Sequence, residues 1–163
     1  MADEGCILCR VASGEVSAPL VADAPRIMGV LNLLEPFSRG HCVFFPRKHA
    51  TNLLEMEDGD LAEMLIAIRD VAAKLGAEDF NVLSNIGALA GQTVFHAHVH
   101  LIPKWSEDEG LEYRREPRQG LEHGEVGVRV VLSRRLEGTP PEADGCSDID
   151  EEPLAAVCPA SEA

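Results

Sequence analysis

A domain that mixes α-helix with β-sheet is predicted for this chain of 163 residues on three observations. Short apolar runs bounded by proline and glycine recur between residues 27 and 104, the pattern of strands. One longer stretch, 59–75, spaces its apolar residues three and four apart, the pattern of a helix with one buried side. Residues 93–103, TVFHAHVHLIP, alternate histidine with apolar residues at the two-residue period of a strand. With 45% hydrophobic residues the chain suits one domain with a real core.

The elements follow in order. The N-terminal MADEGCILCRVASGE is acidic and lacks the apolar stretch of a secretory leader. No apolar run approaches the roughly 20 residues a membrane-spanning helix needs. Of the five cysteines, two stand as Cys6-x-x-Cys9, which suits a reducing compartment and metal or thiol chemistry better than a disulfide framework. A soluble, cytoplasmic (or nuclear) protein is expected. IMGVLN (27–32) and HCVFFP (41–46) read as strands joined by the loop EPFSRG, and RKHATNLLEM (47–56) as a short helical turn. The helix over 59–75 offers Leu61, Leu65, Ile68, Ala72 and Leu75 to the core, with Asp58 to cap its start and Gly76 to end it. FNVLS (80–84) is another strand. The glycine-rich loop NIGALAGQ leads into the histidine segment.

After Trp105 the pattern weakens. SEDEGLEYRREPRQGLEHGE is charged and turn-rich, so His123 within it is expected at the surface. VGVRVVL (126–132) predicts one further strand. Residues 137–163 hold eight acids and no Lys or Arg, which is −8 of the net charge of −14; with no periodicity, they read as a disordered tail carrying Cys146 and Cys158. The body up to residue 136 is then the folded domain. No basic patch with interleaved aromatics exists, which disfavours nucleic acid as a partner.

The histidines carry the chemistry. On a strand, His96, His98 and His100 project from one face, while Phe95, Ala97, Val99 and Leu101 turn to an apolar core. One ion held by all three is disfavoured. At about 3.3 Å per residue the outer Cα atoms stand about 13 Å apart, too far for both rings to converge on one metal. The three rings are therefore expected to divide their work. Upstream, the backbone N–H groups of the loop and the side chains of Gln92 and Thr93 offer an anion cradle of the kind that takes phosphate. Free histidine has a pKa of about 6.5 and is partly neutral and nucleophilic at cellular pH. One imidazole can attack phosphorus while its neighbour donates to the developing charge.

The block NIGALAGQTVFHAHVHLIPKW, with the separate SRGHCVFFPRKH, resembles the histidine triad (HIT) family of nucleotide hydrolases and transferases. The resemblance covers residues 6–105. It implies an α+β fold with an antiparallel sheet, commonly as a homodimer, and a nucleotide substrate attacked at its α-phosphate through a nucleotidyl-histidine intermediate. Carried over by position, it makes His98 the nucleophile and His100 the contact to phosphate and leaving group. Asn85, Gly91, Gln92 and Thr93 become the phosphate pocket. For the ribose contact, Asn32 matches if one residue is inserted before Pro36, and Leu33 otherwise; Asn32 is the better fit, and a mere chain-turning role for it stands equally open. In zinc-containing members, positions resembling Cys6, Cys9, His49 and His96 bind the metal, which implies one structural zinc here and no organic cofactor. His41 matches the family's Gly-His pair and is expected to support the sheet. An adenosine phosphoramidate is the first expectation for substrate. A dinucleoside polyphosphate hydrolase and a non-catalytic nucleotide-binding scaffold are the alternatives, and a hydrolase working directly through metal-bound histidines ranks last.

Overall fold

Among the described residues, five strands, β1 (Leu20–Asp23), β2 (Ile27–Leu31), β3 (Cys42–Pro46), β4 (Asp79–Leu83) and β5 (Val99–Lys104), form one antiparallel sheet in the order β1-β2-β3-β5-β4. The computed structural model describes residues 5–112, which fall within one unit, Met1–Arg115. The predicted strand at 126–132, the acidic tail from 137 and the surface place of His123 lie outside those residues. The chain runs through α1 (Ile7–Ala12), β1 (Leu20–Asp23), β2 (Ile27–Leu31), β3 (Cys42–Pro46), α2 (Asp58–Leu75), β4 (Asp79–Leu83) and β5 (Val99–Lys104). Single 3-10 turns lie at Leu53–Glu55, within the predicted helical turn, and at Ala88–Ala90. Among the described residues, no helix is long and apolar enough to cross a membrane.

Alternation along the strands divides the core in two. Ile27, Cys42, Phe44, Val99 and Leu101 face α2 and pack with its Met64, Ile68 and Val71. Met28, Val30 and Phe45 point to the other side, where Val11 of α1 covers them. Burying a residue of this size contributes about 1.5–3 kcal/mol, so the sheet is held from both faces. Gly29 sits mid-strand because Phe44, its cross-strand partner, lies over it. A Cβ there would come within 2.7 Å of the Phe44 ring. The α2 face coincides with the side toward which even-numbered β3 and odd-numbered β5 residues project. His100 therefore lies on the α1 side.

The helix differs from expectation in two details. Leu65 is 62% exposed, and the buried stripe is Asp60, Met64, Ile68 and Val71, with Leu61, Ala72 and Leu75 partly buried beside it. Counting only apolar residues missed Asp60, which is buried because Arg26 meets its carboxylate at 3.1 Å. Glu57, not Asp58, is the N-cap and makes no side-chain cap; Asp58 lies in the first turn, where an acid still favours the positive end of the helix. Gly76 ends the helix in the left-handed region as expected (φ 79°).

Candidate active site

The histidine segment is only partly a strand. β5 begins at Val99, and its ladders to β3 and β4 end at the pairs Phe44–Val99 and Leu83–His100. His96 and His98 lie beyond both ladders, His96 within a bend, in a lead-in held by other bonds. Ala97 N–H donates to Ala50 O at 2.6 Å, and Ser84 Oγ donates to His98 O at 2.7 Å. Ala97, Val99 and Leu101 reach the core as alternation requires, but Phe95, past the end of the ladder, is 51% exposed. The three imidazoles do separate. His96 is fully buried toward α1, whereas His98 and His100 stand edge to face with ring centres 5.0 Å apart.

Hydrogen-bond partners fix which nitrogen of each ring carries the proton, because a backbone N–H only donates and a carbonyl only accepts. Nδ1 of His98 lies 2.7 Å from His96 O, so Nδ1 is the donor and Nε2 of the neutral ring presents a lone pair. Phe37 N–H donates to Nδ1 of His41 at 3.2 Å, so the His41 proton sits on Nε2. That Nε2 lies 3.0 Å from Nδ1 of His100 and donates to it, leaving His100 with Nε2–H as its free donor. Burial favours the neutral ring at His41 and at His100. It lowers the pKa of His41, and it lowers that of His100 to about 4, with the neighbouring His98 and His41 adding to the effect. A lone pair on one ring thus stands beside an N–H on the next. That pair can attack an electrophile and stabilise the anion that forms. His41 exceeds the sheet-supporting role expected of it: it is 1% exposed and touches His100 directly. No spacing rule links two histidines 59 residues apart; only the antiparallel pairing of β3 with β5 brings them together.

The loop before the triad is braced from within. Gln92 is buried, its Oε1 accepting from Gly87 N–H at 2.8 Å and its Nε2 donating to Thr51 O and Val94 O at 2.7 and 3.1 Å. Its side chain is committed to the loop's own shape. Asn85 Nδ2 donates to Gly91 O at 3.3 Å, and Gly91 adopts φ 90°, where a side chain would be strained. Thr93 is exposed at the loop's exit. Asn32 lies beside His41: its Nδ2 is 3.1 Å from Glu35 O and 3.3 Å from His41 Nδ1, while Leu33 points out, 66% exposed.

A second cluster adjoins the first through His96. Its Nε2–H donates to Pro46 O at 2.9 Å, which leaves Nδ1 bare and facing Cys6 Sγ at 3.3 Å and Cys9 Sγ at 3.5 Å. His49 Nδ1 lies 3.2 Å from Cys9 Sγ. The donor atoms of Cys6, Cys9, His49 and His96 all fall within 4.8 Å of one another. A tetrahedral ion with bonds of about 2.0–2.3 Å spaces its ligands about 3.3–3.8 Å apart, so this two-sulfur, two-nitrogen set can hold a metal. Burial pushes His96 down to about 4, which keeps its ring neutral as a ligand must be.

Residues 13–107 match the family model of the HIT domain. An adenosine 5'-monophosphoramidase of Schizosaccharomyces pombe is 35% identical over 106 residues, covering 65% of this chain and 79% of that protein. The adenosine 5'-monophosphoramidase of Saccharomyces cerevisiae is 30% identical over 138 residues, covering 84% and 86%. Among solved structures, the histidine triad nucleotide-binding protein from Candida albicans aligns with a TM-score of 0.66 at 28% identity, over 73% of this chain and 87% of that one.

Proposed function

The chain belongs to the HIT family, and from that premise we propose that it is a nucleotide hydrolase that cleaves the bond at the α-phosphate of an adenosine phosphoramidate. The observation that carries this reading is the pairing of the bare Nε2 of His98 with the Nε2–H of His100. Nε2 of His98 attacks the phosphorus, a nitrogen–phosphorus bond forms, and the leaving nitrogen departs as the amine, taking the electrons of its own bond to phosphorus and a proton from solvent. His100 donates from Nε2–H on the leaving-group side, to the phosphoryl oxygen and the departing nitrogen, with the backbone of Gly91–Thr93 and the Asn85 amide lining the rest of the pocket. Water then attacks the nucleotidyl-histidine and releases AMP. Asn32 is assigned to the ribose. Two relatives named as monophosphoramidases support an amine as the leaving group.

The cysteine and histidine cluster would hold one zinc through Cys6, Cys9, His49 and His96. When bound, zinc supplies a structural cross-link between the N-terminal helix and the segment before β5, with no part in the reaction at phosphorus. Because His96 O is the acceptor that orients the His98 ring, fixing His96 also fixes its neighbour.

The test is a panel of AMP conjugates that differ only in leaving group, assayed with the wild type and with His98→Ala. AMP release from the phosphoramidate, faster than from a diadenosine polyphosphate, is expected, with a loss of at least about a thousandfold in the variant, the scale of losing a covalent nucleophile. AMP itself should still bind the variant. A variant that keeps most of the wild-type rate would overturn the assignment of His98.

A further inference from the structure

The loop that carries His41 is gripped from outside by the turn that follows β5. Residues 37–41 are knotted internally: Phe37 N–H donates to the His41 ring, and His41 N–H donates to Ser38 O at 3.2 Å. Gly40 joins the knot to the strand with φ 77°, a conformation that favours glycine, and a Cβ there would only touch Leu75 at 3.4 Å. Between them stands Arg39, whose main chain is held on both sides. Trp105 Nε1–H donates to Arg39 O at 2.9 Å, and Arg39 N–H donates to Glu109 Oε1 at 3.0 Å. The turn offering these two groups is itself closed by a bridge between Ser106 and Glu109. Arg39 N–H keeps Glu109 below the usual carboxylate range, so it accepts as an anion.

The Arg39 side chain is the lesser part. Its guanidinium lies over the Trp105 ring, 5.0 Å from the centroid, and reaches Glu109 at 3.2 Å, but it is 76% exposed. An exposed pair of that kind contributes little. The two bonds to the backbone set where the loop sits.

We propose that Trp105 and Glu109 are positioning residues for the reaction: by clamping the backbone of residue 39 they hold His41 against His100 and so fix which His100 nitrogen donates. The effect on turnover rests on the phosphoryl-transfer reading above; the effect on His100 does not. Without the clamp, His41 drifts from His100 Nδ1, and the His100 proton is free to move between its nitrogens. The donor facing the leaving group is then present only part of the time. A good leaving group needs no such donor, so the loss is selective.

The test uses the full chain with Glu109→Ala, Glu109→Gln, Trp105→Phe and Arg39→Ala. Nitrogen-15 NMR of the histidine rings reads the tautomer of His100 in each. Wild type, Glu109→Gln (whose amide oxygen still accepts) and Arg39→Ala should show one Nε2–H form. Glu109→Ala and Trp105→Phe should show a mixture. On an alkylamine phosphoramidate, kcat for the last two should fall by roughly tenfold, a partial loss of a contribution that reaches 10²–10⁴ when a proton donor is fully removed. On a nitrophenyl ester of AMP the fall should be less than about twofold, and KM should hold, because no substrate contact is removed. Trp105 is the chain's one tryptophan, so its fluorescence reports directly whether the clamp is closed in the variants that retain it. Unchanged His100 tautomers in both Glu109→Ala and Trp105→Phe would overturn the proposal, as would equal losses on the two substrates. If the wild type released no AMP from either substrate, the reading of the reaction would fail while the NMR comparison still decided the clamp.

Discussion

Each imidazole of the triad spends one nitrogen on a fixed partner and keeps the other for work. His98 spends Nδ1 on His96 O, His96 spends Nε2 on Pro46 O, and His100 spends Nδ1 on His41. Neutral rings are the condition for that scheme, and pH tests it. Burial lowers His100 to about 4 from an ordinary value near 6.5. The unfolded chain therefore takes up a proton on this ring before the folded one does, and folding stability contributed by the neutral ring, full above pH 6.5, falls as pH drops toward 4. The ring signals of His100 should stay in the neutral form down to about pH 5, and the melting temperature of the wild type should decline more steeply than that of His100→Asn between pH 6.5 and 4. Titration of His100 near 6.5 would contradict this. That the three triad histidines would not share one task was legible from spacing; which ring takes which role came from the family resemblance. Phe95 was misplaced because alternation was extended past the end of the ladder, and His41 was undervalued because its partner is distant in sequence.

At the scale of elements, α1 is a helix of six residues with no side-chain cap. Isolated helices this short do not form in water, so tertiary contacts must hold it. Val11 supplies an apolar anchor against Phe45, and Cys6 and Cys9 reach His96 and His49. If a bound zinc supplies the rest, Cys6→Ser or Cys9→Ser should lower the metal content of purified protein from one equivalent toward zero. The melting temperature should fall by several degrees, as for loss of about 1–2 kcal/mol in a domain of this size. Protein expressed with zinc supplied and purified without it would rule the ion out. The Cys-x-x-Cys spacing gave half of this ligand set, and the histidines joined it through the family resemblance. Strand β1 went unread because four residues between Pro19 and Pro25, half exposed, carry too little periodicity. Helix α2 was legible in extent and in most of its inward face, with Ile68 buried and Leu61, Ala72 and Leu75 packed on the core; Leu65 is exposed instead, and Asp60, a paired aspartate, takes a core position that hydrophobicity does not mark.

Over the whole molecule, two elements far apart in sequence do the positioning: α1 stands behind His96, and the turn after β5 grips the loop before β3. Antiparallel pairing of β3 with β5 brings both supports to one histidine row. The sheet order, which decides this, is not written in any local window, whereas the motif block that identifies the family lies in one. The proposed reaction turns on one atom, Nε2 of His98. Quenching the enzyme in the first turnovers on an adenosine phosphoramidate with denaturant at alkaline pH, where a phosphorus–imidazole bond survives, followed by digestion and mass spectrometry at that pH, would locate any nucleotidyl group. AMP bound through phosphorus to Nε2 of His98 is the predicted adduct; AMP production with the label on another residue, or with no adduct at any quench time, would contradict it.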